Sequence, residues 1–231
     1  MIILHKQKKS SKKDSNMNVL ELFAGSRSIG NVAEELGMNV FSSDINNFDK
    51  IDYVVNILDF DIAKIPFEKV DIIWASPPCT FFSVASIGHH WNKNHTPKSD
   101  NAMMGVAIVK KTLEIIEALN PTYFFIENPR GKLRKLKTVW SDKVVDRVTV
   151  TYCSYGDKRM KPTDIWTNHK RSMYNPEGWQ PRNICWNGNK NCHHENAPRG
   201  SKTGTQGLDN DYERSKIPRE LCLEVLNSCI K

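Results

Sequence analysis

Residues 71–86 read DIIWASPPCTFFSVAS, an apolar run that stops at Ser76 and hands Cys79 into a loop behind two prolines. Ile72 to Ala75 show no polar alternation, the pattern of a strand covered on both faces in a parallel sheet. Proline holds φ at about −65° and donates no hydrogen bond, so Pro77 and Pro78 end the strand ladder and present Cys79 in a set direction. Four further runs share this texture: NVLELF (18–23), NVFSSD (39–44), DYVVNI (52–57) and YFFIEN (123–128).

Helical patterns lie between these runs. SIGNVAEELG (28–37) predicts a helix closed by Gly37. In residues 100–121, Ala102, Val106, Val109, Leu113 and Ile116 recur at helical spacing, and Pro121 marks the predicted stop. Strands alternating with helices define an α/β doubly wound domain, whose ligands bind outside the carboxyl ends of the strands. The loops after Phe23, Asp44, Ile57, Ser76 and Asn128 are therefore the ones expected to carry chemistry. Further on, VVDRVTVTYCSYG (144–156) and TDIWTN (163–168) read as a strand pair that completes the sheet. IPRELCLEVLNSCI (217–230) reads as a closing helix with Pro218 in its first turn and Leu221, Val225 and Leu226 on its buried side. Residues 169–211 lack periodicity and are rich in Gly, Pro, Asn and basic residues, which suits an inserted recognition region.

The chain has 231 residues, room for one well-formed core, and a formal charge of +7 that favours an acidic partner, nucleic acid being the commonest. The first seventeen residues hold five lysines against one aspartate and read as a flexible basic tail. No apolar stretch approaches membrane-spanning length, and the N-terminus lacks the pattern of a signal peptide, so a cytoplasmic protein is expected. The six cysteines are then free thiols, metal ligands or a nucleophile rather than a disulfide framework.

Two strand ends offer a cofactor site. Gly25, after the first strand, suits either a cofactor's approach to the backbone or simply a tight turn into the helix. Asp44, ending the second strand, is placed where a carboxylate accepts hydrogen bonds from a ribose. Together they suggest a cofactor containing adenosine. Cys79 follows the fourth strand and Glu127 ends the fifth. Cysteine attacks as a thiolate, while a carboxyl kept protonated can donate to a ring nitrogen. Cytosine needs this pair: thiolate addition at carbon-6, with protonation of ring nitrogen 3, turns unreactive carbon-5 into an enamine carbon that accepts a methyl group. A buried structural thiol is the plainer alternative for Cys79. The double proline, the strand-end position and Glu127 favour the nucleophile.

LELFAGSRSIG (20–30), SPPCTFFS (76–83) and FFIENPRG (124–131), in this order and spacing, resemble the cofactor, nucleophile and acid motifs of the cytosine-5 DNA methyltransferase family, especially its small phage-borne members. CSYGDKRMKPTDIWTN (153–168) and SKIPRELCLEVL (215–226) resemble a later basic motif and the closing helix of that subgroup. The resemblance implies a Rossmann-like doubly wound sheet of the class I S-adenosylmethionine-dependent methyltransferase type, with a small irregular recognition region. It also implies a division into a tail (1–17), a catalytic domain (18–168 plus 216–231) and a target-recognition region (169–215). S-adenosylmethionine would be held by Phe23, Ala24, Gly25 and Ser26, with Asp44 and Ile45, Asn56 and Ile57, and Ser76 and Pro78 completing its site. Cys79 would be the nucleophile, Glu127 the acid, Asn128 the residue orienting it, and Arg159 and Lys161 the positive charges beside the base. The partner would be duplex DNA with a flipped cytosine, bound by a monomer. Arg27 stands where many members have a second glycine, Asn56 where an aspartate is common, and Lys161-Pro162-Thr163 where two arginines flank a residue.

Several features stand outside these motifs. Cys185, Cys192, His193 and His194 are candidate zinc ligands, although C-x6-C-H-H is not a standard spacing and adjacent histidines do not easily share an ion. RGKLRKLK (130–137) is either a phosphate-facing run or a solvated face. Trp91, Trp179 and Trp186 either stack on bases or anchor their own loops. Two rival functions stay open on the sequence: the same chemistry on RNA or a cytosine nucleotide, and a nucleic-acid-binding module without turnover.

Overall fold

The computed structural model describes residues 16–84, 87–140, 145–195, 208 and 210–230. Most of the predicted basic tail and part of the recognition region therefore lie outside the described residues. The elements are β1 (Asn18–Leu22), α1 (Ser28–Glu35), β2 (Asn39–Asp44), β3 (Tyr53–Val54), β4 (Ile72–Ala75), α2 (Ile87–His90), α3 (Asp100–Leu119), β5 (Tyr123–Pro129), α4 (Lys137–Trp140), β6 (Asp146–Thr151), β7 (Pro162–Thr167), α5 (Asp211–Ser215) and α6 (Arg219–Cys229).

Seven strands form one sheet in the order β3-β2-β1-β4-β5-β7-β6. Strands β1 to β5 pair in parallel, whereas β7 runs antiparallel to both β5 and β6. Both sheet faces are covered, which is why the strands read as unbroken apolar runs. On one face Val19, Ile72, Trp74 and Phe125 meet Ile29, Val32 and Ala33 of α1 and Leu221, Val225 and Leu226 of α6. On the other, Leu20, Leu22, Ile73 and Ile126 meet Ala102, Val109, Leu113 and Ile116 of α3. The side chains alternate between two cores, so a polar substitution on either face would be buried.

Three sequence expectations change in detail. The run 52–57 supplies only a two-residue edge strand, because Asn56 turns the chain by accepting a hydrogen bond from the Leu58 N–H. Helix α3 is stopped one residue before Pro121, by Asn120 in the left-handed conformation, a conformation asparagine tolerates better than most side chains. Pro218 sits just ahead of α6 rather than inside its first turn. Among the described residues no helix is long and apolar enough to cross a membrane.

Candidate active site

Neighbouring strands bring the motifs together. Leu22 of β1 pairs with Ala75 of β4, and Ala75 pairs with Ile126 of β5. One residue further along each strand stand Phe23, Ser76 and Glu127; β5 runs on to Pro129 against β7, and the loops after β1, β4 and β5 leave the same edge. The β1–β4 junction is also where the sheet's winding reverses, the place where open α/β sheets bind ligands. Because β7 is reversed, it begins at this edge, and the loop from Tyr152 to Lys161 joins the other three.

Cys79 opens a 3-10 turn, Cys79–Phe81, and is half-buried. Its carbonyl accepts from the N–H groups of Phe82 (3.0 Å) and Ser83 (2.9 Å), which closes the loop on itself. Glu127 is almost fully buried at the end of β5. Tyr152 donates its O–H to Glu127 Oε1 at 3.1 Å, and the nearby Ser76 hydroxyl also lowers the carboxyl. Ser76 in turn accepts from the indole N–H of Trp74 at 2.9 Å. Burial pushes the Glu127 carboxyl above the usual carboxylate range, opposed first by the charge of Lys161. Burial also raises the Cys79 thiol, again opposed first by Lys161, while Glu127 raises it further. Desolvation lowers Lys161 itself. One cation thus acts on both reactive groups.

Lys161 adopts a positive φ of 27°, places its ammonium 4.7 Å from the centre of the Tyr152 ring and donates to the Arg214 carbonyl at 2.9 Å. Arg159, expected beside the base with Lys161, is held one step back. Its guanidinium is clamped on Asp157 and donates to the carbonyls of Glu213, Arg214 and Lys216. It therefore ties down the strand of chain that Lys161 contacts. Asn128 also differs from expectation: its amide donates to the Pro77 carbonyl at 2.9 Å, so it holds the nucleophile loop rather than the Glu127 carboxyl. Adjacent residues on a strand face opposite ways, which prevents Asn128 from following its neighbour.

The candidate cofactor loop is tightly wound, with Phe23, Gly25 and Arg27 all at positive φ (58°, 49° and 52°). Arg27 occupies the family's glycine position in a left-handed conformation that costs an ordinary residue roughly 1 kcal/mol. It is retained by its side chain, which donates from Nε to Ser42 Oγ (3.0 Å) and pairs with Glu34 (2.6 Å). Asp44 Oδ2 accepts from the Gly25 N–H at 3.0 Å, joining the first two strand ends. Beside it, Ile45 is 63% exposed although strongly apolar, while Ile57 is buried. A carboxylate with an outward apolar neighbour next to a strained backbone loop fits a ribose joined to a flat aromatic base. Glu21, behind the loop, is buried and accepts from the Ile29 and Gly30 N–H groups, each at 3.1 Å. Burial raises it to about 7.

The tryptophans divide. Trp91 is buried against Phe82 and donates to the Phe81 carbonyl at 2.7 Å, so it anchors the Cys79 loop. Trp179 is buried against Phe125 and donates to Glu224 at 3.1 Å. Trp186 alone of the three is outward, 65% exposed. The basic run is partly internal: Arg134 pairs with the buried Asp164, and Lys132 donates to His95 Nδ1 at 2.8 Å.

Of the expected zinc ligands, Cys185, Cys192 and His194 converge, but His193 does not. Its Nε2 faces the Asp157 carbonyl at 3.1 Å. The fourth member is Cys153, which the sequence does not set among the four zinc candidates. Tyr152, which donates to Glu127, is likewise a residue of this site that sequence reasoning misses. Both stand directly at the end of β6, the same signal that marks Cys79 and Glu127, but a strand end hidden inside a long polar-apolar mixture is harder to see.

This sheet order, with its loops gathered at the carboxyl edge, is that of the S-adenosylmethionine-dependent methyltransferase class. Residues 17–149, more than half of the chain, match the C-5 cytosine-specific DNA methylase family, and the chain belongs to that family. A curated relative, the "Probable DNA (cytosine-5)-methyltransferase" of Frog virus 3 (isolate Goorha), is 29% identical over 225 residues, covering 92% of this chain and 100% of the relative. Among solved structures, a "putative DNA modification methyltransferase encoded within prophage" from E. coli aligns at 15% identity with a TM-score of 0.48, over 74% of this chain and 52% of that one. The methyltransferase subunit of a type I restriction-modification system from Streptococcus thermophilus aligns at 13% identity with a TM-score of 0.42, over 69% of this chain and 40% of that one. The chain thus spans about half the length of the first of these structures and less of the second.

Proposed function

We propose that this protein methylates carbon-5 of cytosine in duplex DNA through a transient bond between Cys79 and carbon-6 of a flipped base. The observation that carries this reading is the placement of a thiol and a buried, raised carboxyl on adjacent parallel strand ends under one cation, Lys161. When bound, S-adenosylmethionine supplies an electrophilic methyl group; the 23–26 loop, Asp44, Ile45, Asn56, Ile57, Ser76 and Pro78 would hold it. Lys161 favours the thiolate of Cys79, which adds to carbon-6. Glu127, whose carboxyl burial raises, gives its proton to ring nitrogen 3, and the Tyr152 hydroxyl holds the carboxyl in place. Once carbon-5 has been methylated, its proton passes to solvent water, the sulfur–carbon bond breaks with its electrons returning to sulfur, and Glu127 recovers its proton from nitrogen 3. Carbon-6 is attacked from above the ring plane, which stacking blocks in a duplex, so the base must leave the helix. Residues 169–215 act as the target-recognition region, and the protein works as a cytoplasmic monomer.

The test is incubation with labelled S-adenosylmethionine and duplex DNA containing 5-fluorocytosine, followed by denaturing electrophoresis. Fluorine cannot leave carbon-5 as a proton does, so a label retained on the protein and lost in Cys79→Ala is the expected result. An adduct formed only with RNA would move the substrate, not the chemistry. Cys79→Ser should abolish turnover with cofactor binding intact, and normal turnover in it would overturn the mechanism. Glu127→Gln should slow the reaction by about 100-fold or more, as expected for a lost general acid.

A further inference from the structure

The sequence on either side of Trp186 leaves a long irregular segment without a core of its own. From 180 to 195 the chain forms neither helix nor strand, a length at which irregular segments usually need some other restraint. It lies along the turn that follows β6. The Cys185 N–H donates to Thr151 Oγ1 (2.8 Å), Ser154 Oγ donates to the Asn183 carbonyl (2.8 Å) and the Glu195 N–H donates to the Lys158 carbonyl (2.8 Å). Where the two pieces meet, the thiols of Cys153, Cys185 and Cys192 and one ring nitrogen of His194 lie within 4.8 Å of one another.

We propose that Cys153, Cys185, Cys192 and His194 bind one structural zinc ion, which staples the recognition segment to the turn carrying Tyr152. Three sulfurs and one imidazole nitrogen are a standard tetrahedral donor set for zinc. With bonds of about 2.0 to 2.3 Å, the ligand atoms of such a site stand roughly 3.3 to 3.8 Å apart. The observed cluster needs only a small contraction to reach that, and Cys185 Sγ and His194 Nδ1 are already 3.6 Å apart. The Asn189 amide donates to Cys185 Sγ at 3.3 Å, an outer hydrogen bond of the kind that orients and stabilises a metal-bound thiolate. The ion closes a loop between positions 153 and 185 and supplies the segment with the fixed centre that its side chains lack. This inference does not rest on the methylation reading, and metal content can be measured on protein that is catalytically silent.

The experiment is elemental analysis of the full chain, expressed with zinc in the medium and purified under reducing conditions without chelators. About one zinc per chain is expected. Cys192→Ser and His194→Ala should each lose most of it, while His193→Ala retains it. Cobalt added to the metal-free protein should give the intense thiolate-to-metal absorption and the visible bands of a tetrahedral site, weakened in Cys153→Ser. If Cys153→Ser fails to fold, the cobalt spectrum of the intact chain still reports the number of sulfur ligands. Loss of zinc in His193→Ala with retention in Cys153→Ser would overturn the ligand set. Absence of bound metal together with no tetrahedral cobalt spectrum, or a disulfide among the three cysteines in anaerobically purified protein, would overturn the site.

Discussion

Asn128 Nδ2 donates to the Pro77 carbonyl at 2.9 Å, tying the end of β5 to the loop that presents Cys79. The residue beside the candidate acid therefore sets the position of the candidate nucleophile. Proline removes backbone donors from this loop, so a side chain must reach across to hold it. Asn128→Ala should lower kcat by roughly 10-fold or more, because small displacements of a reacting group are expensive in rate. Cofactor affinity, measured by calorimetry, should stay within about twofold. Stability should fall by about 1 to 3 kcal/mol, since the buried Pro77 carbonyl is left without its donor.

Gly131 explains the last letter of the ENPRG motif. A Cβ there would stand 2.3 Å from the Phe82 carbonyl oxygen, and the adjacent Lys132 N–H donates to the same oxygen at 2.7 Å. The acid loop and the nucleophile loop touch backbone to backbone at this point. Gly131→Ala should push the 79–83 loop away, costing about 1 to 3 kcal/mol of stability by overpacking. Turnover should fall further than the stability loss explains, and chemical denaturation alongside kcat distinguishes the two.

Lys161 lowers both Cys79 and Glu127. The reaction needs the thiol ionised and the carboxyl protonated, which gives a bell-shaped dependence of kcat/KM on pH. Lys161→Met removes the cation, so both limbs should move to higher pH. Alkylation of Cys79 by iodoacetamide at pH 8 should become several-fold slower, because less thiolate is present. An unshifted profile would separate Lys161 from the two groups.

Glu21 links stability to pH. Its folded pKa, about 7, lies above its ordinary value of 4.5, with burial as the main cause. The folded state then holds a proton that the unfolded chain releases, so its contribution is fully present below the ordinary value. It is lost as pH rises through the folded one. The loss is roughly 3 kcal/mol across that window, because a tenfold difference in proton affinity between the folded and unfolded chain is worth about 1.4 kcal/mol. Urea midpoints should fall as pH rises from the ordinary value to the folded one, and Glu21→Gln should flatten the slope.

The sequence by itself determined the α/β alternation, the five parallel strands, the strand pair that completes the sheet, and the positions of Cys79, Glu127 and Asp44 at or near strand ends. Those features are written in local pattern: apolar runs, helical spacing and proline stops all act over a few neighbouring residues. Tertiary structure decided what local pattern does not encode. It sent Asn128 to Pro77 rather than to Glu127, and it turned Arg159 toward the 213–216 chain. Trp91 and Trp179 became anchors, and Cys153 took the place of His193 beside Cys185. Each of these depends on which distant segment arrives at a given edge of the sheet. Reversal of β7 is the physical reason for the placement of Arg159 and Cys153. It returns the Tyr152–Lys161 turn to the carboxyl edge, where side chains more than seventy positions from Cys79 become its neighbours.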